Sequence, residues 1–479
     1  MNEFHCLDIE FPDVDFNSYY TRGKTEIEKI HHAHLYANDE KIELRIFYDD
    51  QTYFGEKLIT WANNIDPKKF GSFIKAEVTN NDTNERLQKV DLSEATFLSS
   101  TNSTSYYEGV NKYVIVRIDT VKFYWNPVED KNNTGEFYLD DKGFRVVEPF
   151  YSVLLPKKWD KNDGNFNIGR MNGSEKFYIL DKCTFRPEFN FVVKDDRENR
   201  TATITKEPKI QFKYQNGITE KEAIFYGDVV LMLASFYYHI KIDYILRRIH
   251  LPENTITIKN IEQKNFYNII GNLRDFEIDW DFNKFLQESC QTETIKNFTS
   301  NDFTLLSKAI KLFNQSHLVD NSSAFLIRYN IIEICNKQKS DNNKSDNNKS
   351  DNIKFTLALN KKQTKEKQNE ALKILLETIN INEHEDFKKR WQSVLANLQY
   401  KPMENQLVSF LKNQGIETNT FPISIKDLRE LRNNITHGSI DNVKVELLRK
   451  ANILLYRISG ILILNLMGIK DWKLNTIIK

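Results

Sequence analysis

ISIKDLRELRNNITHGSI, residues Ile423 to Ile440, reads as one amphipathic helix that stops at Gly438. Ile425, Leu428 and Leu431 recur at spacings of three, which suits a buried stripe. A glycine directly after His437 is a helix C-terminal signal. Inside the last turns lies Arg432-Asn433-Asn434-Ile435-Thr436-His437, an Arg-x4-His hexapeptide with Asn after the Arg. It gathers a cation, an amide and an imidazole where a helix ends, a set of groups suited to a phosphodiester. The plainer alternative is a solvated Arg and a His that ends a helix beside the negative end of its dipole.

Working outward, the chain from Phe298 to Lys479 reads as all-helical. Leu305–Asn314, Ser323–Asn336, Lys365–Ile379, Glu383–Leu398 and Met403–Asn413 precede the quoted helix, and Asp441–Met467 follows it. Between the second and third of these is Ser340–Lys354, SDNNK-SDNNK-SDNIK, too polar to offset chain entropy and expected to be a disordered insert, 340–354. Lys388-Lys389-Arg390 beside Trp391 would suit an RNA backbone and a stacked base; as a structural reading, Trp391, Val394 and Leu398 make a core stripe.

The N-terminal half is of another kind. Lys41–Tyr48, Lys112–Arg117, Val121–Trp125, Phe189–Val193 and Ile210–Tyr214 are short runs of β-branched and aromatic residues separated by Asn, Asp and Gly. The expectation is therefore an α+β multidomain chain. Residues 1–220 form a β-rich sandwich or irregular barrel, 221–297 a helical transition and connector, and 298–479 the helical domain. Lys221 to Ile249 reads as one long helix, with Phe225, Val229, Met232, Phe236 and Ile240 as its buried stripe. His31, His32 and His34 fall on a strand, where His32 and His34 share a face; no third ligand announces itself, and no metal site is expected.

Charge divides as the pattern does. The whole chain is neutral, but residues 298–479 hold 28 Lys and Arg against 19 Asp and Glu, leaving 39 against 48 in the remainder. A basic helical domain suits a polyanion such as RNA. Cys6, Cys183, Cys290 and Cys335 lie far apart, as in a reduced, cytoplasmic protein. No signal peptide is read at MNEFHCLDIEF. The apolar run Ala451–Ile469 is nearly long enough for a bilayer, but Arg457 lies inside it, and a central bundle helix is the better reading. There is no Gly-rich phosphate loop, HExxH or GxSxG.

The hexapeptide on its helix, with Asn433 after Arg432, Gly438 after His437 and a long apolar helix next, resembles the signature of the HEPN superfamily of helical ribonucleases and nucleotide-binding domains. The layout, a strand-rich half before a C-terminal helical domain, is similar to that of ApeA-like anti-phage HEPN proteins. The resemblance implies a metal-independent endoribonuclease without cofactor, in the cytoplasm of a bacterium. Arg432, His437 and Asn433 would be catalytic, and Glu333, on an early helix, would hold the Arg. It implies RNA as substrate, with transfer RNA among the candidates, a homodimer formed through the helical domain, and a phage-derived trigger sensed by the N-terminal domain. The alternative within the resemblance is an inert HEPN protein that binds RNA or nucleotide as a sensor or scaffold. A third reading, an interaction protein whose hexapeptide is coincidence, stands outside it. One difficulty is geometric: five residues along an ideal helix turn by about 140° beyond a full circle, so Arg432 and His437 do not share a face unless the helix unwinds or a second copy supplies the partner.

Overall fold

The computed structural model describes residues 3–10, 31–38, 40–48, 75–78, 86–105, 111–129, 131, 133–150, 177–196, 201–261, 273–342, 361–380, 383–398, 403–438 and 444–477. It is an α+β protein with strands in the N-terminal half and helices in the C-terminal half. Two compact units are formed, Met1–Tyr267 with Trp280–Gln291, and Asn268–Asp279 with Thr292–Lys479.

The first unit holds two antiparallel sheets. The six-stranded sheet has the order β4 (Lys75–Val78), β1 (Glu3–Glu10), β2 (His31–Ala37), β3 (Ile42–Tyr48), β7 (Asn111–Ile118) and β6 (Phe97–Ser105). The eight-stranded sheet has the order β10 (Tyr178–Leu180), β11 (Cys183–Asp196), β12 (Thr201–Tyr214), β9 (Thr134–Leu139), β13 (Tyr244–His250), β14 (Thr255–Asn260), β8 (Thr120–Trp125) and β5 (Leu87–Asp91). Side chains alternate, so Leu35, Leu44, Ile46, Val114 and Val116 point to one side of the smaller sheet and pack on Val121 and Phe123 of β8. The opposite face of the larger sheet carries Phe137, Phe185 and Phe212, which are fully buried.

A helix, α1 (Glu220–Tyr238), covers that face. It starts at a capping box: Thr219 Oγ1 accepts the Glu222 N–H at 3.2 Å, and Glu222 Oε2 accepts the Thr219 N–H at 3.0 Å. It crosses the sheet at Gly227, where an added Cβ would lie 2.1 Å from Phe137 Cε2. The Tyr244 hydroxyl donates to the Gly227 carbonyl at 2.6 Å.

Three expectations are corrected in this unit. The helix read as Lys221–Ile249 ends at Tyr238, with His239 left-handed at φ 52°, and 244–250 is a strand. An apolar run shows both periods when it is buried on two sides; pairing with β9 and β14 decides for strand. Consequently 221–297 is divided: α1, the β13–β14 hairpin and α2 (Phe282–Gln291) belong to the β-rich unit, and Asn268–Asp279 and residues 292–297 to the helical one. The buried face of α1 is wider than the stripe read for it. Val229, Phe236 and Ile240 of the expected stripe are buried, Met232 is half-buried and Phe225 is exposed, while Tyr226, Val230 and Leu233 are buried beside them.

The second unit contains α3 (Asn301–Gln315), α4 (Asn321–Asn342), α5 (Lys361–Leu376), α6 (His384–Leu398), α7 (Met403–Asn413), α8 (Ile425–Thr436) and α9 (Val445–Met467). Helix α9 is buried on nearly every side from Ala451 to Leu464, packed by α3 and α4. Arg457 within it donates to the Asn475 and Ile477 carbonyls at 2.6 and 2.9 Å. No described helix is long and apolar enough to cross a membrane. The disordered insert expected at 340–354 is corrected at its start, where Ser340–Asn342 finishes α4; residues 343–354 lie outside the described residues.

Candidate active site at the end of α8

Ser424 starts α8 by accepting the Asp427 N–H on Oγ at 3.0 Å. Leu428, Leu431 and Ile435 are buried. Arg432 follows Leu431 and lies at the edge of this stripe, facing α4. Its Nη2 is 3.6 Å from Glu333 Oε1, and its Nη1 donates to Asn433 Oδ1 at 3.5 Å. Both separations exceed those of tight charge-assisted bonds, about 2.7–2.9 Å. The side chains of Arg432 and Glu333 are 38% and 29% exposed. The guanidinium is thus steered by Glu333 without being sealed by it, and an entering anion has access to it.

The helix is undone just past this point. Thr436 Oγ1 donates back to the Arg432 carbonyl at 2.7 Å, competing with the backbone ladder. His437 is the C-cap at φ −93°, ψ 9°, with its N–H on the Asn433 carbonyl at 2.9 Å. Gly438 follows at φ 76°, a conformation that favours glycine. The His437 side chain is exposed, and its ring has no hydrogen-bond partner among the described residues. The structure therefore brings Arg432, Asn433 and Glu333 together, and leaves His437 on the solvent side of the same helix end.

Sequence reasoning missed what seats α4. Arg328 is 1% exposed, yet carries a guanidinium. Its Nε donates to Ser316 Oγ at 3.1 Å, just past the C-terminal end of α3, and its Nη1 donates to Asn452 Oδ1 at 3.1 Å on α9. The cation also lies 5.6 Å from the Tyr456 ring centroid. Burial lowers its pKa to about 10. Beside it, burial and then the Arg328 charge push the His317 imidazole down to about 3. The helix C-terminus supplies negative potential where no carboxylate among the described residues contacts the cation. A signal existed: Asn452, Tyr456 and Ser459 recur at four and three within the apolar α9, a polar stripe awaiting a partner.

The other sequence candidates resolve simply. His32 Nδ1 pairs with Asp8 Oδ1 at 2.6 Å, and the His34 ring packs on Phe47 at 4.6 Å. No group of three metal-binding side chains occurs among the described residues. Lys388 and Lys389 pair with Glu385 and Asp386 on their own helix, and Trp391 is half-buried; the side chains of Val394 and Leu398 lie outside the described residues. No protein-family description, curated protein or solved structure matches the chain.

Proposed function

We propose that the end of α8 is the active site of a metal-independent endoribonuclease, an anti-phage effector governed by its β-rich unit. The observation that supports this reading is the partly exposed Arg432 guanidinium, steered by Glu333 and Asn433, one turn from an unengaged imidazole. RNA carries its own nucleophile. A base takes the 2′-hydroxyl proton, the oxygen attacks phosphorus, the P–O5′ bond breaks and the departing oxygen takes up a proton. The products are a 2′,3′-cyclic phosphate and a 5′-hydroxyl. His437 moves protons, the role an imidazole most often takes in general acid–base catalysis. Arg432 grips two phosphoryl oxygens through its planar fork, a geometry that Lys lacks. Asn433 orients the phosphate through its amide.

A second reading, RNA or nucleotide binding without cleavage, draws on the His437 ring having no group to orient it among the described residues. The test separates the two. Purified protein and its His437→Ala and Arg432→Lys variants are incubated with transfer RNA and messenger RNA, and fragment ends are analysed. Cleavage with cyclic-phosphate ends, lost in both variants, is expected. Binding that persists in His437→Ala without cleavage by the wild type would leave the second reading standing.

A further inference from the structure

In the β-rich unit the chain passes between its two sheets twice within a small space. Residues 92–96 lead from β5 to β6, and Asp119 leads from β7 to β8. The passages are tied together: Asp119 Oδ1 accepts the Thr96 N–H at 2.8 Å, and the Asp119 N–H donates to the Thr96 carbonyl at 3.2 Å. Between this junction and the first turns of α1 is a cleft of about 440 Å3, within the usual range for small-molecule sites.

The cleft has an apolar side and a charged rim. Ile258 of β14 and Ile224 and Phe225 of α1 line it. Phe225 is 37% exposed, an aromatic turned away from the core its helix covers. Glu94, Asp119 and Asp228 surround it, with Arg247 and Lys221. Most of the positive charge is already engaged. Arg247 Nη2 pairs with Asp228 Oδ1 at 3.2 Å, and its guanidinium lies 4.9 Å from the Tyr244 ring centroid. Lys122, adjacent, is shared between Glu220 at 2.8 Å and Glu94 at 3.4 Å. Four carboxylates (Glu94, Asp119, Glu220, Asp228) thus meet three cations (Lys122, Lys221, Arg247). The second oxygens of Asp119 and Asp228 have no hydrogen-bond partner among the described residues, and Arg247 Nε is a buried donor without an acceptor.

We propose that this cleft binds a small organic cation, an ammonium or guanidinium group on a flat apolar body. The cationic group takes the free oxygens of Asp119 and Asp228, bonds strengthened by charge. The body lies on Phe225. A carboxylate on the same body meets the surplus negative charge, and a neutral analogue forfeits the charge-assisted bonds. Set at the joint between the sheets, the ligand is placed to alter how they are tied. The proposal does not depend on the ribonuclease reading, and its test involves no RNA.

The full-length protein is titrated calorimetrically with tyramine, with its neutral counterpart tyrosol and with hydroxyphenylacetate. Saturable tyramine binding is expected, with the other two at least about tenfold weaker. Asp119→Asn with Asp228→Asn, which keeps the acceptor for Thr96, should weaken tyramine at least about fivefold. Phe225→Ser, at an exposed position, should weaken it as well and stands in if the double variant fails to fold. Absence of saturation, equal binding by the carboxylate, or affinity unchanged in the variants would overturn the assignment.

Discussion

Arg432 and Glu333 form a pair of partly exposed groups, and such pairs contribute little to stability, about 0–1 kcal/mol. On the proposed reading the pair's work is orientation. Glu333→Gln would then leave the unfolding midpoint in urea nearly unchanged while the proposed single-turnover RNA cleavage slows about tenfold or more. Equal rates for variant and wild type would mean that Glu333 does not direct the guanidinium. His317 behaves in the opposite way, as a matter of stability alone. Its folded pKa of about 3 lies below the unfolded value of about 6.5. The unfolded chain takes up a proton below pH 6.5 that the folded chain refuses, so stability present above that pH is lost as pH falls toward 3. His317→Leu removes this loss. Between pH 7 and 4.5 the wild type should lose on the order of 2 kcal/mol relative to the variant in urea denaturation; parallel pH profiles would show that His317 is not held neutral.

Elements differ in how openly their sequences declare them. The helix at Ile423–Ile440 was legible because Ser424, the Leu428 and Leu431 spacing and Gly438 mark its start, face and end, though its residues run Ile425–Thr436. Helix α9 was legible because it is predominantly apolar from Ala451 onward, with only its start later than read. The strand β13 was not, since TyrIleLeuArgArgIleHis continues the apolar run of α1, and only pairing across distant sequence converts it. Phe225 was misread for a related reason: a helix apolar on several sides offers more than one stripe. Gly227 was invisible because close approach to Phe137 leaves no pattern in sequence. Its replacement by Ala should cost about 1–3 kcal/mol or more, because Phe137 is fully buried against Phe212 and Tyr244 and has nowhere to move. Phe137→Leu in the same chain should recover part of that loss; a Gly227→Ala protein as stable as wild type would mean that the crossing is looser than drawn.

At the scale of the whole molecule, the proposed reading makes the site a property of two chains. Arg432 leans toward α4 while His437 faces solvent, an arrangement that suits an Arg from one chain working with a His from its partner. In a homodimer with such shared sites, mixing Arg432→Ala and His437→Ala proteins in equal amounts regenerates one intact site in each mixed dimer. Subunit exchange should then restore about one quarter of wild-type cleavage. If each site is confined to one chain, the mixture stays inactive. Sedimentation of the wild type reports the dimer directly.

Arg328 carries a consequence for how that assembly can err. Helices packed through hydrocarbon alone can settle one turn out of place, about 5.4 Å, at modest cost. A guanidinium fixed to Ser316 on one side and Asn452 on the other cannot follow such a slip, for its donors would be stranded in a dry interior. Glu333 is five residues further along the same rod and arrives at a single address. Replacing Arg328 and its acceptors with well-fitted hydrocarbon would leave helices that still cohere but no longer know where to stop.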